Sequence, residues 1–320
     1  MVNGNYNYDD VHLLGKYLQY VPFEINRHEL YNASSLYAGF DLEQPETETT
    51  CYDAQVYNHY IKTGKHAYSA KETLARCLHD HGISHALDVF LADYNPRSVV
   101  GIMGGHGLLR TDRMFRDIVY ISKKLTENGF LMISGGGPGA MEATHLGAWL
   151  AGYEDKDVEA ALHRLSAAPT FKDEGWLRTA FEVIRDYPQT RYRSLGIPTW
   201  LYGHEPATPF ATHIAKYFDN SIREDGILTI AFGGIIYTPG SAGTMQEIFQ
   251  DAVQNHYLSF GYASPMIFLG TKFWTEDTPI YPLLQHMLNT GKYQNLLLTL
   301  TDDSEQIVQE LLKFKNEKLI

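Results

Sequence analysis

The chain has 320 residues, 44% of them hydrophobic and 20% charged, which suits a soluble globular protein with room for one large domain or two small ones. Its formal net charge of -12 argues against a nucleic-acid-binding surface and leaves room for, at most, a small basic pocket that takes one nucleotide. Two cysteines, Cys51 and Cys77, are too few for a disulfide framework, no Cys/His spacing resembles a zinc site, no cofactor is indicated, and no apolar run reaches membrane-spanning length.

The first residues, Met1-Val2-Asn3-Gly4-Asn5-Tyr6, carry neither a basic segment nor an apolar core. No secretory signal is expected, and the cytoplasm is the default location. Residues 1–95 are polar and aromatic, with few glycines, and read as a helical extension packed on the main domain. Ser69 followed by Glu72 resembles a capping box and opens a helix through residues 73–78. A second helix is expected over 85–92. The acidic stretch 43–50, with Pro45, reads as loop.

From Pro96 the pattern changes, and residues 96–320 read as one Rossmann-like domain. Residues 98–103 form a buried-type strand that runs into Gly104-Gly105-His106-Gly107. Met114, Ile118, Ile121 and Leu125 then recur at helical spacing up to Asn128-Gly129, a stop signal. A second strand, 130–133, leads into Gly135-Gly136-Gly137-Pro138-Gly139-Ala140-Met141-Glu142 and a helix to about residue 152. Residues 153–193 are charged and helical in character, an insertion or a long crossover.

A third strand is expected over 195–202, with Glu205 in the loop at its end. A helix carrying Asn220, Arg223 and Glu224 precedes a fourth strand at Gly234. That strand meets Pro239-Gly240-Ser241-Ala242-Gly243-Thr244-Met245-Gln246-Glu247, a tight turn into a helix that places Glu247 in its first turn. Further strands are expected at 265–270 and 296–300, with a last amphipathic helix after Asp302. This order predicts an α/β fold, a doubly wound parallel sheet with an N-terminal helical extension. The turns at Gly104, Gly135 and Gly240 would then share the edge at the carboxyl ends of the strands, where such sheets bind ligands.

The Gly104 turn is not a dinucleotide fingerprint, because Arg110 stands at the third glycine position. No glycine turn ends in Gly-Lys-Ser or Gly-Lys-Thr, so ATP-driven phosphoryl transfer is not expected. The Gly135 turn has more glycines than a strand–helix connection needs, which favours ligand approach over close packing. The helix start at Ser241–Thr244 offers free N–H groups to a phosphate. Ser241 also sits where a hydrolase nucleophile would, with Asp251, His256 and His286 as conceivable partners, but Pro239 breaks that pattern. The fourteen histidines, His106 and His204 among them, show no metal spacing and read as ordinary residues.

The two glycine motifs, in this order and on matching turns, resemble the paired motifs of the Lonely Guy family. The Gly-Pro-Gly-Ala-Met-Glu-Ala run from Gly137 and the Glu205-Pro206 pair are most similar to its bacterial nucleotide 5'-monophosphate nucleosidase branch. The resemblance covers residues 96–270. It implies a Rossmann-like homodimer or higher oligomer that hydrolyses the N-glycosidic bond of a nucleoside 5'-monophosphate to free base and ribose 5-phosphate. It implies a catalytic pair of Glu247 and Arg223. The nucleotide would lie against Gly104, Gly105, Gly135, Gly136, Gly137, Gly139, Met141, Glu142, Glu205, Asn220 and the Pro239–Thr244 turn. Ser241 departs from the family, which has Gly there. Glu142 is a candidate for protonating the leaving base, with helix capping as the equal alternative. A non-catalytic nucleotide carrier on the same fold is the second reading.

Overall fold

The computed structural model describes residues 20–317. A single-turn helix, Ala33–Leu36, precedes α1 (Tyr52–Thr63) and α2 (Ala70–Leu91). Ser69 caps α2 as its spacing predicts, its hydroxyl accepting the Glu72 N–H at 3.2 Å. The two helices expected over 73–78 and 85–92 are one, since no proline interrupts the stretch between them. The expected loop at 43–50 contains a tight helical stretch, Pro45–Thr50.

The sheet and its covering helices follow: β1 (Val99–Met103), α3 (Arg113–Glu127), β2 (Leu131–Ser134), α4 (Ala140–Trp149), α5 (Asp155–Leu165), α6 (Trp176–Asp186), β3 (Ser194–Gly196), β4 (His213–Ile214), α7 (Asn220–Leu228), β5 (Gly234–Tyr237), α8 (Ala242–Tyr257), β6 (Pro265–Leu269), α9 (Ile280–Asn289), β7 (Leu297–Thr301) and α10 (Ser304–Asn316). The strands form one seven-stranded sheet in the order β4-β3-β2-β1-β5-β6-β7, with every neighbouring pair parallel. This is the Rossmann-like α/β architecture expected from the alternation of strands and helices.

Side chains alternate across the sheet. Val100 and Ile102 of β1 point into a core shared with Phe115 of α3, Leu146 of α4 and Leu311 of α10. Val99 and Met103 point the other way, into a core shared with Ile248 of α8, Leu284 of α9 and the N-terminal segment through Tyr31 and Val56. Residues 153–193 hold two helices, α5 and α6, packed on each other.

Two strand expectations are corrected. The third strand is shorter than 195–202: only Ser194–Gly196 pairs, Pro198 removes a backbone donor, and Trp200–Tyr202 curls into a tight turn capped by the Thr199 hydroxyl, 3.0 Å from the Leu201 nitrogen. β4 was not expected, because two residues are too few to show any period. Its outer edge is met by the N-terminal segment, where Tyr31 and Ile214 exchange backbone hydrogen bonds of 2.7 and 2.9 Å.

Candidate functional site

Strand order reverses between β1 and β5, which pair in register with Met103 opposite Tyr237. The loops leaving their carboxyl ends must diverge, one towards each face of the sheet, and a crevice opens between them. Three loops are stitched together around it. The Gly105 N–H donates to the Pro239 carbonyl at 3.1 Å, and the Ala140 N–H donates to the Gly105 carbonyl at 3.2 Å. The crevice is a cavity of about 250 Å³.

Its walls bring together ten of the residues expected at the site. Gly104 and Gly105 come from the β1 loop, Gly135 and Met141 from the β2 loop, and Glu205 from the loop after β3. Arg223 comes from α7, and Ser241, Gly243, Thr244 and Glu247 from the start of α8. Gly137 lines a small recess that opens beside the same Gly135, Met141, Glu205 and Arg223. Pro239, Gly240 and Ala242 do not line the cavity; Gly240 packs on the Thr244 side chain and Ala242 is exposed.

Much of the glycine content of the β2 loop is explained by close packing, contrary to the preference for ligand approach. A Cβ on Gly135 would strike the Arg223 guanidinium and lie 2.7 Å from Met141 Sδ. Gly139 has φ +69 and faces the β1 loop, where a Cβ would come 2.8 Å from the His106 carbonyl carbon. Gly136, also at positive φ, is pressed against Pro198 and Gly196.

Arg223 and Glu247 face each other. The Arg223 Nε donates to the Ile197 carbonyl at 3.3 Å, and its Nη1 lies 4.0 Å from Glu247 Oε1. Glu247 is not in the first turn of its helix. α8 starts at Ala242, with Ser241 as N-cap, so Glu247 falls in the second turn, past the reach of the helix terminus. Burial therefore decides its protonation. It pushes the Glu247 carboxyl up to about 7, opposed by Arg223 and reinforced by Glu224. One turn further along α8, burial also pushes Asp251 up to about 7, although the Tyr237 hydroxyl donates to it at 2.7 Å.

The leading end of α8 is open. No side chain caps it, and its first internal bond is from the Met245 N–H to the Ser241 carbonyl at 3.2 Å. Its first amides are thus available to an anion at the cavity rim.

Two expected residues lie elsewhere. The Glu142 carboxylate is 1% exposed and held by Arg110, 2.5 Å from Nη2 and 3.1 Å from Nε. It lines a separate, smaller cavity with Leu109, Pro138, Gly139 and Trp176, not the crevice between β1 and β5, and it does not cap α4. Asn220 lines a different cavity, between α2 and α7, and its amide donates to Glu224 Oε1 at 2.5 Å.

Four cavity residues carry no sequence signal of their own. Met103 ends β1, and Tyr202 follows the Pro198 turn. Glu224 follows Arg223 and turns its charge on Glu247. His106, read as ordinary, has its Nδ1 3.5 Å from Glu205 Oε1. Two of the conceivable serine-hydrolase partners are not placed for that role: His256 lies fifteen residues along α8 from Ser241, about 22 Å at helical rise, and Asp251 is engaged by Tyr237. Among the described residues no His, Cys, Asp and Glu cluster is placed to hold a metal ion, and no helix is long and apolar enough to cross a membrane.

No family model matches the chain, and no curated protein matches it. Solved structures do. The structural-genomics target TM1055 is 18% identical, with 67% of this chain and 98% of that one covered at a TM-score of 0.43. The molybdenum cofactor carrier protein of Chlamydomonas reinhardtii is 12% identical, with 68% and 98% covered at 0.43. The molybdenum cofactor binding protein of the phototrophic bacterium Rippkaea orientalis is 12% identical, with 67% and 95% covered at 0.42.

Proposed function

We propose that the chain is a nucleoside 5'-monophosphate nucleosidase, hydrolysing the N-glycosidic bond to give free base and ribose 5-phosphate. The observation that carries this reading is Glu247: a carboxyl in a cavity wall, 4.0 Å from an arginine, on the same helix whose uncapped amides open at the rim. The 5'-phosphate binds those amides and the Ser241 hydroxyl. The ribose then lies over Glu247, and Arg223 fixes its hydroxyls or the phosphate.

Cleavage moves the C–N bonding pair onto the base and leaves positive charge on the sugar. The ionised Glu247 stabilises that charge and takes a proton from the water that attacks C1', and the departing base takes up a proton in turn, so that one water is divided between ribose 5-phosphate and free base. With a carboxyl near 7, both protonation states are present at neutral pH, as a group that must take and release a proton requires. His106, Glu205 and Tyr202 are polar side chains of the same cavity that could meet the base. The protein would act as a homo-oligomer in the cytoplasm, with no nucleic-acid or membrane partner.

The test is incubation with a panel of nucleoside 5'-monophosphates, assaying free base and ribose 5-phosphate. Glu247→Gln should keep nucleotide binding and lose about 10²- to 10⁴-fold in kcat. Tight binding without any product from the wild-type protein would replace this reading with that of a nucleotide carrier.

A further inference from the structure

We infer that the buried His79–Asp80 pair of α2 is a positioning device for Arg223, fixing where α7 starts and hence where its guanidinium meets Glu247. This rests on Arg223 and Glu247 being the working pair of the proposed reaction. Asp80 is 2% exposed and spends its carboxylate on the backbone just ahead of α7. The Phe218 N–H lies 3.0 and 3.1 Å from its two oxygens, and the Asp219 N–H 2.8 Å from Oδ2. Asp219 is the N-cap of α7, and its own carboxylate takes the Ser221 N–H at 2.9 Å. The cap shapes the helix start, while Asp80 fixes its place in the molecule.

Asp80 is itself held from behind. His79 Nδ1 is 2.9 Å from Asp80 Oδ1, His79 Nε2 is 2.9 Å from the Tyr31 hydroxyl, and Tyr31 is 3.1 Å from the Tyr52 hydroxyl. Simple packing of α7 on α2 needs no buried carboxylate. The Phe218 ring already stacks on Trp200 at 4.4 Å and meets the His79 ring at 5.0 Å. A charged acceptor on two consecutive amides adds strength and direction. Arg223 lies one turn beyond Asp219, so a shift of the helix start carries its backbone along, and a misplacement of the guanidinium by about 1 Å costs about 10²-fold in rate.

Asp80→Asn keeps the shape, removes the charge that holds the two amides, and leaves one oxygen in place of two to accept from them. Nucleotide hydrolysis should fall about 10- to 100-fold in kcat with a smaller change in KM. In an Arg223→Ala background the same change should cost almost nothing, because the residue being positioned is gone. A second readout needs no turnover: the midpoint of the Glu247 carboxyl, followed by carbon NMR. The groups facing it are Arg223 and Glu224 from α7, Tyr237 from β5 and Asp251 from α8. Of these only Arg223 lowers it, so withdrawing the guanidinium should move the midpoint up. Asp80→Glu, with the charge on a longer arm, should show the same signs and serves if the Asn variant does not fold. A folded Asp80 variant with wild-type kcat and an unmoved midpoint overturns the inference. So does an equal loss in the Arg223→Ala background. If the wild type hydrolyses no nucleotide but the midpoint still moves, the nucleosidase reading falls and the positioning role stands.

Discussion

Arg110 and Glu142 lie 2.5 Å apart with their side chains 1% exposed, whereas Arg223 and Glu247 stand 4.0 Å apart at 16% and 14% exposure. Both pairs belong to the same cluster of loops. The first is closed on itself: the Arg110 guanidinium also donates to the Ala168 and Trp176 carbonyls and the Thr179 hydroxyl, at 3.2, 3.1 and 2.9 Å. Each nitrogen of the Arg110 guanidinium finds an acceptor within the fold. The second pair is held apart by what flanks it. The Ile197 carbonyl draws Arg223 to one side, and Glu224 loads negative charge beside Glu247. The closed pair spends its charge on partners inside the fold, while the open pair keeps charge turned to the cavity between β1 and β5.

The largest effect should come from breaking the closed pair. Glu142→Gln strands a buried guanidinium and should cost about 3–5 kcal/mol in urea unfolding. Glu247→Gln, removing a carboxyl that burial already disfavours, should leave stability unchanged or raised. Equal losses in the two variants would erase the distinction.

A smaller effect should follow at Gly135. Its Ala variant crowds the Arg223 guanidinium and Met141, and hydrolysis should fall about 10- to 100-fold through displacement of the arginine. Rates within twofold of the wild type would show that Arg223 tolerates movement and sharpen doubt about its role.

An effect of another kind is a slope with pH. The Glu247 carboxyl moves from 4.5 to about 7 on folding, so between those values the folded chain holds a proton that the unfolded chain releases. This stabilisation is complete below pH 4.5 and lost as pH rises to about 7, and Asp251 adds a term of the same sign from 3.8 to about 7. Urea midpoints across that window should fall with rising pH, and Glu247→Gln should flatten the fall.

The parallel sheet was legible because its strands are long enough to show apolar runs and its helices show a period. β4 was not, since two residues carry no pattern and its pairing depends on distant partners. The loops that meet at the cavity were legible from their glycines, but the reason for those glycines was not. Gly135 answers to Arg223, nearly ninety residues away in sequence, and no local reading shows that contact. Glu142 looked as available as Glu247 because each begins a helix after a glycine turn. Only the fold brings Arg110 against one and leaves the other at a distance. The glycine turn did not show at which residue α8 begins, so Glu247 was read into the first turn and not the second.

The bridge between Tyr31 and Ile214 bears on solubility as well as on packing. The outermost strand of an open sheet offers a ladder of bare peptide groups to any passing strand, including its own copy from another molecule. Here an antiparallel partner from the same chain occupies that ladder, though β4 is only two residues long. The segment before the sheet thus acts as a guard against edge-to-edge self-association, a duty it keeps whatever the cavity binds.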